Sequence, residues 1–135
     1  MGTKLLERID KINAEKRTKA LRMIDALKDY PEIEFHRVDS LRHNYHLLEA
    51  RIGGGLRNGF IRMMANEFGI QCVVQYYPLN RYPLYRKLGF GRADCPVADD
   101  FFDNMVSFPF NHLLTDDELA YIIDSAKTVM DRLRN

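Results

Sequence analysis

A stretch rich in tyrosine follows an apolar run in the second half of the chain. The run is rich in β-branched and aromatic residues, which predicts a strand over residues 70–77. Pro78 ends this strand because it has no N–H to donate, and Pro83 restricts the residue before it to an extended conformation. The polar and aromatic side chains around these prolines are Tyr76, Tyr77, Asn80, Arg81, Tyr82 and Tyr85. Phenol, amide and guanidinium groups on a rigid turn predict a site for a polar ligand, and half-buried tyrosines that only pack are the alternative.

His46 and a glycine run are the next candidates for chemistry. His46 lies on a predicted strand over residues 44–52, where a histidine is more often structural than catalytic. The run Gly53-Gly54-Gly55 precedes a predicted helix, as phosphate-binding loops do. It has neither the lysine nor the spacing of such a loop, so a plain strand-to-helix turn is the favoured interpretation.

Composition excludes several classes of protein. The chain has 135 residues, with 20 Lys and Arg against 19 Asp and Glu, and its net charge of +1 argues against bulk electrostatic binding to nucleic acid or anionic membranes. Apolar runs fall short of the about 18 residues of a membrane span. Charged residues interrupt the N-terminal segment, where a signal peptide would have its apolar core. Cys72 and Cys95 form neither a disulfide framework nor a zinc motif, so free thiols and a cytoplasmic location are expected.

Two further groups of ionisable residues have weak patterns. The histidines other than His46 stand apart from acidic pairs and cysteines, so no metal site is predicted. These histidines are His36, His43 and His112. A basic cluster next to the tyrosines could bind a pyrophosphate or remain a solvated loop. It consists of Arg81, Arg86, Lys87 and Arg92.

Periodicity and capping signals supply the elements that would position these side chains. The predicted helices cover residues 4–29, 56–68, 84–88, 96–104 and the segment after Thr115, and the predicted extended segments cover 33–38, 44–52, 70–77 and 105–108. Thr115 and Glu118 have the spacing of a capping box. Val97 and Phe101 are expected to be buried by their helix. The pattern predicts an α+β fold, a short sheet covered by helices on one face and preceded by a long N-terminal helix.

Five short motifs, in their order and spacing, carry a family resemblance. They are Asn44-Tyr45-His46-Leu47, the stretch Tyr77-Pro78 to Leu88-Gly89-Phe90, Cys95-Pro96-Val97-Ala98-Asp99, Val106-Ser107-Phe108-Pro109-Phe110 and Leu114-Thr115-Asp116-Asp117-Glu118-Leu119. Over about residues 5–133 the chain resembles the C-terminal small domain of the sugar aminotransferases, the StrS/DegT-like family. These are pyridoxal-phosphate enzymes of fold type I that aminate keto groups on nucleotide-linked sugars.

The resemblance implies a role for each part of the chain. Residues 1–29 would connect to a large domain that this chain lacks, and residues 30–135 would form the small domain. The small domain would help to bind the sugar nucleotide and close the active site. The expected substrate-binding residues are His46, Tyr77, Tyr76, Asn80 and Arg81, although many members of the family have a histidine where this chain has Tyr76.

The resemblance also implies that the cofactor site lies elsewhere. Members of the family form an imine between pyridoxal phosphate and a lysine of the large domain, and no lysine here has that context. We therefore expect no catalytic residue in this chain, which by itself would be inactive. The alternative is a stand-alone ligand-binding or interaction module that has kept the small-domain fold.

The apolar stripe of the predicted first helix indicates that this helix contacts a partner. Leu5, Ile9 and Ile12 continue its apolar stripe beyond the polar segment 13–19, where the large domain would cover them. In the isolated chain this end would fray or pair with a second copy, and we favour a homodimer.

Overall fold

Helices and short strands alternate along the chain in the computed structural model, which describes residues 2–36, 43–90 and 93–135. The helices are α1 Gly2–Leu6, α2 Ile9–Leu27, α3 Arg57–Phe68, α4 Pro83–Lys87, α5 Pro96–Asn104 and α6 Asp116–Arg134. The strands are β1 Ile33–Phe35, β2 Leu48–Ile52 and β3 Met105–Phe108, and a 3-10 turn spans Leu79–Arg81. This is the predicted α+β fold.

The three strands form one antiparallel sheet in the order β1-β2-β3. Ile33 pairs with Ile52, and Ala50 pairs with Val106. Because side chains alternate across a strand, Leu48, Ala50 and Ile52 share one face of β2, and all three are buried in the core. Buried side chains of α2, α3 and α6, among them Met23, Phe60 and Ile123, cover that face.

The helix α5 lies against the other face of the sheet. The exposed side of β2 carries Arg51, whose Nε donates to Asp100 Oδ2 of α5 at 3.2 Å. Met105 and Ser107 of β3 occupy the same face by register and are buried. The side chains on this face of β2 and β3 therefore lie on the α5 side of the sheet, opposite the main core.

Local signals determine α6. The Thr115 hydroxyl accepts from the Glu118 N–H at 3.2 Å, and Glu118 Oε2 accepts from the Thr115 N–H at 2.8 Å. These two bonds are the predicted capping box. Seven residues of α6 are buried, on the stripe that the helical period predicts.

The predicted helix over residues 4–29 is divided in two. A turn at residues 7–8 separates α1 from α2. Ala20, Met23 and Leu27, in the C-terminal half of α2, are fully buried, whereas Leu6 and Ile9 are 70% and 41% exposed. The Leu5 side chain lies outside the part of the structure that is described.

Two predicted strands are wrong in extent. The strand expected over 44–52 begins at Leu48, because Tyr45 has a left-handed φ of 46° and the Asn44 Oδ1 accepts from the His46 N–H at 3.0 Å, which is a turn. The strand expected over 70–77 is reduced to a bridge between Val73 and Ser107. The partner in this bridge belongs to β3, which is four residues long.

The structure also differs from two other predictions. The extended segment 33–38 forms β1 over its first three residues, and Val38 lies outside the described residues. Val97 is 83% exposed rather than buried, while Phe101 is half-buried. Among the described residues, no helix is long and apolar enough to cross a bilayer.

Candidate functional site

The polar tyrosine-rich segment, residues 76–85, is called the tyrosine turn below. Its backbone is fixed locally, because the Arg81 N–H donates to the Pro78 carbonyl at 2.9 Å and the Tyr82 N–H donates to the Leu79 carbonyl at 3.2 Å. Pro83 then starts α4, where a missing N–H costs nothing. The turn therefore presents its side chains from a defined backbone.

Tyr77 is held between two aromatic rings. Its ring centroid lies 5.0 Å from that of Tyr82 and 5.4 Å from that of Phe102, with interplanar angles of 87° and 84°. These are edge-to-face contacts, the arrangement that aromatic pairs prefer. The side chain remains 45% exposed, and its neighbour Tyr76 is 72% exposed. Both phenols can therefore reach a ligand, and Tyr77 does so from a fixed ring position.

Arg81 and Asn80 bind α5. Arg81 Nε donates to Asp99 Oδ1 at 2.7 Å, and its Nη1 and Nη2 donate to the two carboxylate oxygens of Asp103 at 2.6 and 2.9 Å. The Asn80 amide makes long hydrogen bonds of 3.4 Å to Asp99 and to the Ala93 carbonyl. The hydrogen bond from Arg81 lowers the pKa of Asp103, and the same contact raises the pKa of the guanidinium.

An apolar groove lies between the tyrosine turn and α5. Its lining comprises Pro78, Leu79, Asn80, Tyr85, Phe90, Ala93, Cys95 and Ala98. A second groove shares Cys95 and Ala98 with it and extends past Phe101 to His36, His43 and Glu49. Burial raises the pKa of the Glu49 carboxyl, and the nearby His36 opposes that shift.

His46 is not where the sequence predicted it. It lies in the turn before β2 rather than on a strand, and it is exposed. Its described hydrogen bond is local, from its own N–H to Asn44. Of the five predicted site residues, Asn80 lines the first groove. Tyr76, Tyr77 and Arg81 lie beside Asn80 on the tyrosine turn but are not among the residues that line the two grooves, and neither is His46.

The remaining candidates occupy separate places. Gly54 and Gly55 have φ values of 67° and 72° and turn the chain from β2 into α3, as predicted. Within the described ranges no group of His, Cys, Asp and Glu could hold a metal ion. In the basic cluster, Arg86 and Lys87 are exposed on α4, and Arg92 lies outside the described residues.

The sequence interpretation missed the partners that hold the tyrosine turn. Asp99 and Asp103 are four residues apart on α5, so they lie on one face of the helix and both reach Arg81. Phe102 lies between them in sequence and packs on Tyr77. The available signal was the Asp-x-x-x-Asp spacing within a predicted helix.

Comparison with known families and curated proteins gives matches over most of the chain. The model of the DegT/DnrJ/EryC1/StrS aminotransferase family matches residues 1–127. The spore coat polysaccharide biosynthesis protein SpsC of Bacillus subtilis is 25% identical over 136 residues, which are 96% of this chain and 35% of SpsC. The uncharacterized protein MJ1066 of Methanocaldococcus jannaschii is 27% identical over 77% of this chain and 27% of its own length. The chain spans about a third or less of these relatives.

Solved structures agree with these matches. Spr1654 of Streptococcus pneumoniae, named as a sugar aminotransferase, superimposes in its apo form with a TM-score of 0.85 at 28% identity. The match covers 98% of this chain and 34% of Spr1654, which has also been solved in forms with pyridoxal phosphate and pyridoxamine phosphate. PseC of Helicobacter pylori, an aminotransferase involved in the biosynthesis of pseudoaminic acid, has a TM-score of 0.85 at 20% identity over 97% of this chain and 36% of PseC, a likeness of fold alone.

Proposed function

We propose, on the premise that the chain belongs to the DegT/DnrJ/EryC1/StrS aminotransferase family, that it is the C-terminal small domain of a nucleotide-sugar aminotransferase. The observation that carries this proposal is the unequal coverage of the match. Nearly all of this chain superimposes on Spr1654, yet it accounts for 34% of that protein. The missing large domain is thus the first proposed partner, and residues 1–29 would be the connection to it.

The proposed role of the domain is to bind the sugar nucleotide and close the active site. Tyr76 and Tyr77 support this role, because their phenols are exposed on a turn whose backbone is fixed. A phenol can donate and accept a hydrogen bond, as sugar hydroxyls and phosphate oxygens require. We also include His46 as a substrate-binding residue, because its side chain is exposed. Asn80 and Arg81 are included because they attach the tyrosine turn to Asp99 of α5.

Pyridoxal phosphate is proposed for the large domain of the complete enzyme. The groove of the tyrosine turn does not fit the cofactor, because its described lining offers no lysine to condense with the aldehyde. Lys16, whose pKa is lowered by burial, lies on α2. Lys19 donates to the His112 carbonyl, and Lys28 pairs with Asp25 at 2.9 Å.

An absorbance titration tests the cofactor proposal. Pyridoxal phosphate added to this chain is expected to give no saturable imine band, and borohydride is expected to fix no single stoichiometric site. Lys16→Gln is the control for nonspecific condensation with the lysine of lowered pKa. One stoichiometric imine with transaminase turnover would contradict the proposal that the small domain is inactive alone.

Kinetics of a complete enzyme that carries this domain test the substrate role. Tyr77→Phe and His46→Ala are expected to lower kcat/KM for the nucleotide sugar more than for the amino donor. The loss of one hydrogen bond costs about 1–2 kcal/mol, or up to roughly thirtyfold. Tyr121→Phe is the matched control, because its hydroxyl donates to the Phe68 carbonyl on another part of the domain. Unchanged kinetics in both test variants would return these side chains to packing roles.

A homodimer is proposed for the isolated chain, which exposes Leu6 and Ile9 at its N-terminal helices. Large aliphatic side chains left in water forgo about 1.5–3 kcal/mol each, so pairing with a second copy would cover them. Sedimentation of the wild type beside a Leu6→Lys, Ile9→Lys variant measures this. Leu113→Lys, at another exposed leucine, is the control. A wild type that stays monomeric at high concentration would refute the pairing.

Two further parts of the proposal concern location and the alternative role. Cys72 and Cys95 are free thiols, which favours a cytoplasmic enzyme. A stand-alone binding module would have no large domain encoded beside it. A neighbouring or continuous reading frame for a lysine-bearing large domain therefore distinguishes the enzyme fragment from the module.

A further inference from the structure

All three side-chain nitrogens of Arg81 donate to carboxylates of α5. Its Nε and both terminal nitrogens donate to carboxylate oxygens at 2.6 to 2.9 Å. The pair with Asp103 is bidentate, the geometry in which guanidinium and carboxylate fit best. The side chain of Arg81 is 25% exposed and that of Asp99 is 28% exposed, so this contact is shielded more than a surface ion pair.

The charges around Arg81 disfavour a second role in binding an anion. Two carboxylates face one guanidinium, and Arg57, on the first turn of α3, also acts on Asp103 electrostatically. A phosphate that approached Arg81 would also approach Asp99 and Asp103 and be repelled by them. Arg86 and Lys87 are exposed on α4.

The same contact controls where the tyrosines lie. Arg81 is the last residue of the 3-10 turn, and Tyr82 follows it directly. Its guanidinium carbon lies 5.6 Å from the centre of the Phe102 ring, the ring that also packs on Tyr77. Release of Arg81 from α5 would therefore loosen both rings that hold Tyr77.

We propose that Arg81, Asp99 and Asp103 form a clamp that positions the tyrosine turn on α5, and that Arg81 is a positioning residue rather than a ligand of the substrate. The proposal rests on the proposed function only for what Tyr76 and Tyr77 contact. In this proposal, Asp99 and Asp103 of α5 hold Arg81 in place, whereas aspartates on an exposed helix usually only contact solvent. The clamp joins residues 18 and 22 positions apart in the chain.

Hydrogen exchange and NMR of the substrate-free chain test the clamp. Arg81→Met keeps the length of the side chain and removes its charge. The Tyr82 amide donates to the Leu79 carbonyl, and the Phe90 amide donates to the Tyr85 carbonyl. We expect both amides to exchange about tenfold faster or more. The ring signals of Tyr77, shifted by the Tyr82 and Phe102 rings, are expected to move toward their unfolded values. Asp103→Asn is expected to shift the same signals if Arg81→Met does not fold.

Arg51→Met is the matched control, because it breaks another arginine–carboxylate pair on α5, at 3.2 Å. It is expected to leave the exchange of the tyrosine turn and the Tyr77 signals unchanged. Equal effects of Arg51→Met and Arg81→Met would show general stabilisation of α5 and overturn the clamp. So would a shift of the Arg81 Nε signal by added inorganic pyrophosphate. Because no substrate is present in these measurements, failure of the clamp is separate from failure of the substrate role.

Discussion

Replacement of Phe60 by leucine tests how the core of the domain is built. Phe60 of α3 is fully buried, and its ring lies 5.9 Å from that of Phe108 at 78°. Phe108 in turn packs on Phe35 of β1 at 5.9 Å, so a row of rings joins α3 to two strands. Phe60 is thus the helical end of the contact that fixes α3 on the sheet.

The expected cost follows from these contacts. Leucine has three fewer side-chain carbon atoms than phenylalanine, and at about 0.8 kcal/mol each they account for about 2.4 kcal/mol. Loss of an edge-to-face pair adds about 0.5–1.5 kcal/mol. The free energy of unfolding should therefore fall by about 3–4 kcal/mol, and for a domain of this size Tm should fall by roughly 10–16 °C.

Urea unfolding followed by circular dichroism measures this difference. Phe90→Leu is the matched control, because it makes the same chemical change at a ring that is 72% exposed. It should change the free energy of unfolding by no more than about 0.5 kcal/mol. A double-mutant cycle with Phe108→Leu should give a coupling of about 0.5–1.5 kcal/mol. Equal losses in Phe60→Leu and Phe90→Leu would refute the packing assigned to Phe60.

Two further predictions follow from the capping box and from the thiols. Thr115→Ala should lower the free energy of unfolding by about 1 kcal/mol at pH 7. Hydrogen bonds from the Thr115 backbone and hydroxyl lower the pKa of Glu118 in the folded state. The stabilisation by the Glu118 carboxylate is therefore present above the pKa that Glu118 has in the unfolded chain, and it is lost as the pH falls through the folded-state pKa. Thr115→Ala removes the hydroxyl bond to Glu118 and keeps the backbone N–H bond, so the difference between wild type and variant should narrow only in part at pH 3, and a difference that widens would contradict the box. Burial raises the pKa of Cys72 to about 12, so at pH 8 an aromatic disulfide reagent should label the half-buried Cys95 first. Faster loss of the Cys72 thiol, measured by peptide mapping, would mean that this part of the core opens.

Where a signal is local, the sequence determined the element. The capping box of α6 lies within four residues, and Gly69 and Gly89 end their helices with φ values of 66° and 85°. The strand over 105–108 was predicted with its bounds, between the end of α5 and Pro109. The core of the α+β fold follows from elements such as β2 and α6, which each bury one apolar face.

Tertiary structure decided the features that depend on distant residues. Among the described residues, the segment 70–77 pairs with the sheet through one bridge, between Val73 and Ser107 of β3, and strand formation depends on such distant pairing. Val97 was expected to be buried because it is apolar, but α5 turns it to solvent. Apolarity alone therefore does not determine burial.

The candidate site shows the same division. The sequence placed phenols and a guanidinium on one turn, since residue types and prolines are visible there. It could not show that Arg81 would bind Asp99 and Asp103, because those carboxylates arrive on α5 only when α5 packs across β2. The role of a charged side chain depends on which opposite charges the fold brings to it, and for Arg81 that was decided by the packing of α5.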